Sequence, residues 1–253
     1  MDRRAKLMSS VGTLLPLLQA RRPLVHCVTN PVTMGFVADA LNAMAARPIM
    51  ARGQAEVGAI AGAADAVLIN IGVPEGTEPY ATAAKAAKRW VFDPVGAGGS
   101  ALRTEIAETL LALRPAIIRG NAGEILALGG QAGVVEGVDS LASPEEAAGV
   151  ARLLADKFKT VVAMTGATDY VVSRDRVVRL TGGDALMATV TGTGCVAGGV
   201  CAAFLAVAED PLDAAVAALH LMSGAADYAA KTAKGPGSFK VAFLDALYSA
   251  TTA

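Results

Sequence analysis

WVFDPVGAG, residues 90–98, opens as an apolar run and closes on a carboxylate, a proline and two glycines. Such a run reads as a strand buried on both faces, and its glycine-rich exit as a loop at the strand's carboxyl end. The same pattern recurs in AVLINIG (66–72), AIIRGNAGE (116–124) and TVVAMTGATD (160–169). Between these runs lie YATAAKAAKR, TEIAETLLALR and SPEEAAGVARLLADKF, Ala/Leu-rich stretches with helical periodicity. In the last of them Ser143 and Glu146 have capping-box spacing. Strand alternating with helix predicts an α/β fold: a mostly parallel central sheet with helices on both faces, joined by right-handed crossovers. YVVSRDRVVRL (170–180) differs, with two β-branched runs around Arg-Asp, and predicts a hairpin.

Ligands of open parallel sheets sit outside the carboxyl ends of the strands. That rule selects Asn70, Asp93, Arg119, Asn121, Glu124 and Thr165, each at or just after a predicted strand end. Loops in any α/β protein carry polar residues. Six such side chains on one edge are harder to explain that way than any one of them.

The 253 residues suit one large α/β domain, expected to span 1–253, and no repeat or linker-like tract marks a boundary. Apolar residues make up 53% and aromatics only 4%, so the core is built of Ala, Val, Leu and Ile. Lys plus Arg is 22 and Asp plus Glu is 23, which lacks the basic excess of a nucleic-acid surface. Mean hydropathy is +0.47, yet no run reaches the roughly 18 uninterrupted apolar residues of a membrane span. Cys27, Cys195 and Cys201 have neither paired nor metal-like spacing. These features predict a cytoplasmic enzyme with no nucleic-acid or membrane partner.

VTGTGCVAGG (190–199) places glycines and threonines ahead of an apolar, Ala-rich helix, so Gly192 and Gly194 bracket a helix N-terminus with free N–H groups. Such a terminus binds anions, phosphate above all. The spacing matches neither a P-loop nor a dinucleotide fingerprint. Cys195 at the helix start reads either as a small buried hydrophobe or as a thiol whose pKa the helix dipole lowers from about 8.5. Asp93, with Glu124 one turn after Asn121, has the character of an oxygen pair that holds Mg²⁺ directly or through water. Arg119 then offsets phosphate charge. A capping Asn and a dipole-compensating Glu would produce the same NAGE pattern. His26 reads as a structural histidine, and Cys27 and Cys201 as small buried residues.

LVHCVTNPVTMGFVADALNA, RPIMA, ADAVLINIG, FDPVGAG, IRGNAGEILAL, GVDS, MTGATDYV, VTGTGC and GPGSFKVAFLDAL run in order from residue 24 to 247. In this series the chain resembles the hydroxyethylthiazole kinase family of thiamine salvage, within the ribokinase-like superfamily. The resemblance implies ATP- and Mg²⁺-dependent phosphorylation of the primary alcohol of 4-methyl-5-(2-hydroxyethyl)thiazole. It further implies a homotrimer with sites at subunit interfaces. Met50, Gly192, Asn30 and Val32 would contact the thiazole, Arg119, Thr165 and Gly194 the nucleotide, and Asp93 and Glu124 the metal. Cys195 would occupy the catalytic-base position. The chain departs from the family pattern at Thr189, where a lysine is frequent, at Asp184, where a histidine is frequent, and at Pro31. The rival readings are a hydroxymethylpyrimidine or pyridoxal kinase of the same fold, and a non-catalytic nucleotide-binding sensor. A dinucleotide-dependent oxidoreductase lacks its glycine fingerprint.

Overall fold

The computed structural model describes residues 3–74, 76–131 and 144–251. After helix α1 (Arg3–Arg21), strand β1 (Leu24–Val28) and helix α2 (Met34–Ala43) come β2 (Arg47–Ile49) and α3 (Val57–Ala63). Three further strand–helix steps and a final strand carry the runs read from sequence: β3 (Ala66–Asn70) with α4 (Glu78–Ala86), and β4 (Trp90–Asp93) with α5 (Ala101–Ala112). They continue with β5 (Ile117–Asn121) and α6 (Ala122–Gln131), then α7 (Pro144–Phe158) and β6 (Val161–Thr165). The predicted hairpin is β7 (Asp169–Val172) and β8 (Val177–Leu180). A 3-10 turn (Ala185–Thr189) leads to α8 (Thr193–Leu205), α9 (Pro211–Ala230) and α10 (Pro236–Ala250). Ser143 of the predicted capping box and GVDS (137–140) lie outside the described residues.

The strands form one sheet in the order β2-β1-β3-β4-β5-β6-β7-β8. The first six are mutually parallel, while β7 and β8 add antiparallel at one edge. Every residue of β3 and β4 is buried, as central parallel strands covered on both faces require. Alternate residues feed two cores. Leu68, Val91 and Ile117 face α2, α8, α9 and α10, whereas Val67, Ile69, Phe92 and Ile118 face α3 to α7.

Helix α8 is buried from Cys195 to Leu205, because it lies on the sheet with other helices over it. Its small residues permit the approach. A Cβ on Gly198 would stand 3.0 Å from Leu68 and 3.1 Å from Asp93 Oδ2, and one on Gly199 would stand 3.1 Å from Val37. Arg89 caps the far end, its guanidinium donating to the carbonyls of Leu205, Ala208 and Glu209. Arg103 ties two loops at the carboxyl edge of the sheet, donating to the carbonyls of Ile71, Gly72 and Val95. Among the described residues no helix is long and apolar enough to cross a membrane.

Candidate active site

Parallel strands all present their carboxyl ends to the same edge, so Asn70, Asp93, Asn121 and Thr165 converge there as terminal residues of β3, β4, β5 and β6. Arg119 lies two positions before the end of β5. Asn30, just past β1, joins them. The N-terminus of α8 points into this edge.

A closed set of hydrogen bonds surrounds the Cys195 thiol. Asn70 Nδ2 donates to Asp93 Oδ2 at 2.7 Å and to Cys195 Sγ at 3.3 Å. Asn30 Nδ2 donates to Asn70 Oδ1 at 2.9 Å and to Cys195 Sγ at 3.5 Å. Gly72 N–H also donates to Asn70 Oδ1, and Thr33 N–H to Asn30 Oδ1. Each amide thus uses both of its N–H groups, which fixes how both side chains are turned. The sulfur receives two donors, so its own proton lies on a remaining side. The buried Thr33 hydroxyl has no partner at hydrogen-bond geometry, yet it sits close enough to the thiol to favour its ionised form.

This arrangement corrects the expectation of a lowered thiol pKa at the helix start. Burial and then the Asp93 charge push the Cys195 thiol up, and the Thr33, Asn70 and Asn30 groups only partly oppose them. Cys27 and Cys201 behave as the inert buried thiols read from sequence, each pushed up to about 12 by burial.

Asp93 is fully buried, and burial lifts its carboxyl to about 7 against the opposing pull of Arg119, with the nearby Glu124 charge adding to the rise. Its Oδ1 has no hydrogen-bond partner, and the closest cation is Arg119 Nη1 at 3.7 Å. Arg119 Nη2 donates to Thr165 Oγ1 at 2.6 Å, while the buried Arg119 Nε has no partner. Glu124 forms a reciprocal cap with Asn121: Asn121 N–H donates to Glu124 Oε2 at 2.8 Å, and Glu124 N–H to Asn121 Oδ1 at 2.9 Å. Gly96 N–H donates to Glu124 Oε1 at 3.1 Å, so this carboxylate is oriented by backbone from two loops.

The glycine loop fits against these groups. Gly192 caps α8 with φ +98°, and a Cβ there would meet Thr33 Cγ2 at 2.9 Å. A Cβ on Gly194 would stand 2.8 Å from Arg119 Nη1. Met50 is half-buried against the same apolar cluster that contains Cys195. Val32 stands apart from the hydrogen-bonded set and is 69% exposed. Thr189 and Asp184 both serve the 3-10 turn: Thr189 donates to the Leu186 carbonyl, and Asp184 accepts from Leu186 N–H. Thr33 and Arg103 were missed in the sequence. Thr33 sits in an otherwise recognised motif, whereas Arg103 looks like any polar position on a helix.

Among the described residues no cluster of three His, Cys, Asp or Glu side chains forms a metal site. The Asp93–Glu124 pair nevertheless suits Mg²⁺, which takes one or two carboxylates and keeps waters. The unpartnered, buried Asp93 Oδ1 is the atom a cation would satisfy.

Known proteins resemble the chain over most of its length. A family model described as the hydroxyethylthiazole kinase family matches residues 15–253. A hydroxyethylthiazole kinase of Clavibacter sepedonicus is 47% identical over 246 residues, covering 94% of this chain and 89% of the relative. The solved structure of a hydroxyethylthiazole kinase protein from Pyrococcus horikoshii superposes with TM-score 0.87 at 38% identity, covering 96% of this chain and 94% of that one. The pyridoxal kinase of Staphylococcus aureus, solved in complex with ADP, superposes with TM-score 0.64 at 16% identity over 81% of this chain and 87% of its own, a likeness of fold alone. The architecture is therefore the ribokinase-like one, and by the extent and identity of these matches the chain belongs to the hydroxyethylthiazole kinase family.

Proposed function

We propose that the chain transfers the γ-phosphoryl group of ATP to the primary alcohol of 4-methyl-5-(2-hydroxyethyl)thiazole, with Mg²⁺, in thiamine salvage. Residues 1–253 act as one kinase domain in the cytoplasm, a setting consistent with three free cysteines. The observation that carries the reading is the Cys195 thiol, held by two asparagine amides beside buried Asp93 on the first turn of α8.

The acceptor alcohol lies against Cys195, with Met50, Asn30 and Gly192 around the ring. Val32, exposed in one chain, completes the pocket at the interface of a homotrimer. A bond forms from the alcohol oxygen to the γ-phosphorus, and the bond from that phosphorus to the bridging oxygen of ADP breaks. The alcohol proton passes to the Cys195 sulfur in its thiolate form, the form that the Thr33, Asn70 and Asn30 groups favour, and so restores the thiol. A loose phosphoryl-transfer transition state asks little of the base and much of positioning and charge. Arg119 and the amides of the Gly192–Gly194 loop face the transferring oxygens, while Thr165 orients Arg119. Mg²⁺ held by Asp93 and Glu124, directly or through water, would neutralise phosphate charge and offset one of the two causes that raise the thiol pKa.

The test is product mass after incubation with ATP, Mg²⁺ and an equimolar mixture of the thiazole alcohol, hydroxymethylpyrimidine and pyridoxal. A phosphorylated thiazole as dominant product supports the reading. Another phosphorylated alcohol replaces the substrate, and ATP binding without any product favours a nucleotide sensor.

A further inference from the structure

Strand β1 sends Val25 and Cys27 toward α8 and Val28 toward the opposite face, so alternation places His26 with Val28, away from the catalytic cysteine. His26 is completely buried. Its Nε2 lies 2.7 Å from the carbonyl oxygen of Ala51, and its Nδ1 has no hydrogen-bond partner. A carbonyl only accepts, so Nε2 carries the proton. Burial lowers the imidazole pKa against the opposing influence of that carbonyl and of Glu56, which leaves the ring neutral with a bare Nδ1.

Ala51 directly follows Met50. The three-residue edge strand β2 ends at Ile49, which pairs with His26 across the sheet. Met50 is therefore the first residue to leave the sheet, and its side chain packs on the α8 face. The next carbonyl is caught from the other face by the imidazole. We propose that His26 is a positioning residue for the acceptor alcohol: its Nε2–H anchors the Ala51 carbonyl and so holds Met50 as an apolar wall of the acceptor pocket. The flat, sulfur-containing ring of the acceptor suits a thioether wall. The assignment of Met50 to that pocket rests on the function proposed above.

Steady-state kinetics of His26→Leu and His26→Gln with the thiazole alcohol and ATP test this. Removing the anchor is expected to raise KM for the alcohol about tenfold, with kcat and KM for ATP changed by less than about twofold, the signature of lost acceptor binding. His26→Gln, which keeps an N–H donor on a side chain of similar reach, is expected to recover most of that loss. An unchanged alcohol KM in folded His26→Leu, or parallel losses in kcat and both KM values, overturns the proposal. Should His26→Leu fail to fold, nitrogen NMR of the wild-type imidazole decides. The neutral Nε2–H tautomer at pH 7, shifted when the alcohol is added without ATP, is expected. A proton on Nδ1, or a signal indifferent to the alcohol, overturns the tether. Wild-type protein that phosphorylates none of the three alcohols would defeat the functional reading instead, and a proton on Nδ1 would still defeat the tether by itself.

Discussion

A single side-chain amide of Asn70 spans the distance between Asp93 and Cys195, donating to Asp93 Oδ2 at 2.7 Å and to Cys195 Sγ at 3.3 Å. The buried carboxylate and the thiol are thereby tied to each other through one side chain. Asn70→Leu keeps the branch at Cγ with added bulk, and it removes both bonds together with those that Asn70 Oδ1 accepts from Asn30 and Gly72. We expect kcat to fall about 100-fold, in the range of a misplaced base and lost network, with KM for ATP nearly unchanged. Loss confined to KM for ATP would contradict a role in aligning the thiol.

Burial and the Asp93 charge both raise the Cys195 pKa. In metal-free protein, alkylation of Cys195 by iodoacetamide should therefore be slow at pH 7.5 and climb only above the usual thiol range of about 8.5. Peptide mass spectrometry separates it from Cys27 and Cys201, which are fully buried. A rate that has already reached its plateau by pH 7 would mean that the helix dipole prevails over burial.

Asp93 sits at about 7 in the native state because it is buried. A carboxyl whose native pKa exceeds its unfolded value of about 3.9 binds more protons folded than unfolded between the two. Its contribution to stability is present below the unfolded value and is lost as pH rises through 7. Chelator-treated protein should therefore lose stability between pH 5 and 7.5, by about 1–3 kcal/mol from this group. Urea unfolding across that window checks it, and Asp93→Asn should flatten the slope. An identical slope in the variant would place the effect elsewhere.

Gly192 and Gly194 are required for different reasons. An alanine at 192 meets both the left-handed φ of +98° and the Thr33 methyl at 2.9 Å, so it should cost about 1–3 kcal/mol of stability. An alanine at 194 meets only the Arg119 guanidinium, which can shift. Gly194→Ala should fold with little loss and, on the nucleotide role proposed for Arg119, raise KM for ATP about tenfold as that guanidinium is displaced. Thermal melts and nucleotide titrations of the two variants distinguish these outcomes.

The buried strands were legible because AVLIN and WVFD can be little else than central parallel strands, and the rule of carboxyl ends then gathered Asn70, Asp93 and Thr165 without coordinates. β2 was opaque to periodicity: Arg47-Pro48-Ile49 is short and poorly buried, and it becomes a strand only because β1 lies beside it. The thiol chemistry of Cys195 was half legible. The helix start was visible, but Asp93 arrives from a distant strand and, with burial, reverses the expected direction of the shift. His26 was seen as structural, yet the carbonyl it holds, beside Met50, depends on a loop path that no local pattern encodes.

The most direct measurement is kcat for Cys195→Ala and Cys195→Asp, alongside ATP affinity for both. If Cys195 handles the alcohol proton, the alanine variant loses about 100-fold or more in kcat while binding ATP normally, and the aspartate variant keeps substantial activity. Equal, large losses in both variants would show that the thiol fills space at the first turn of α8 and takes no proton, which would contradict the account.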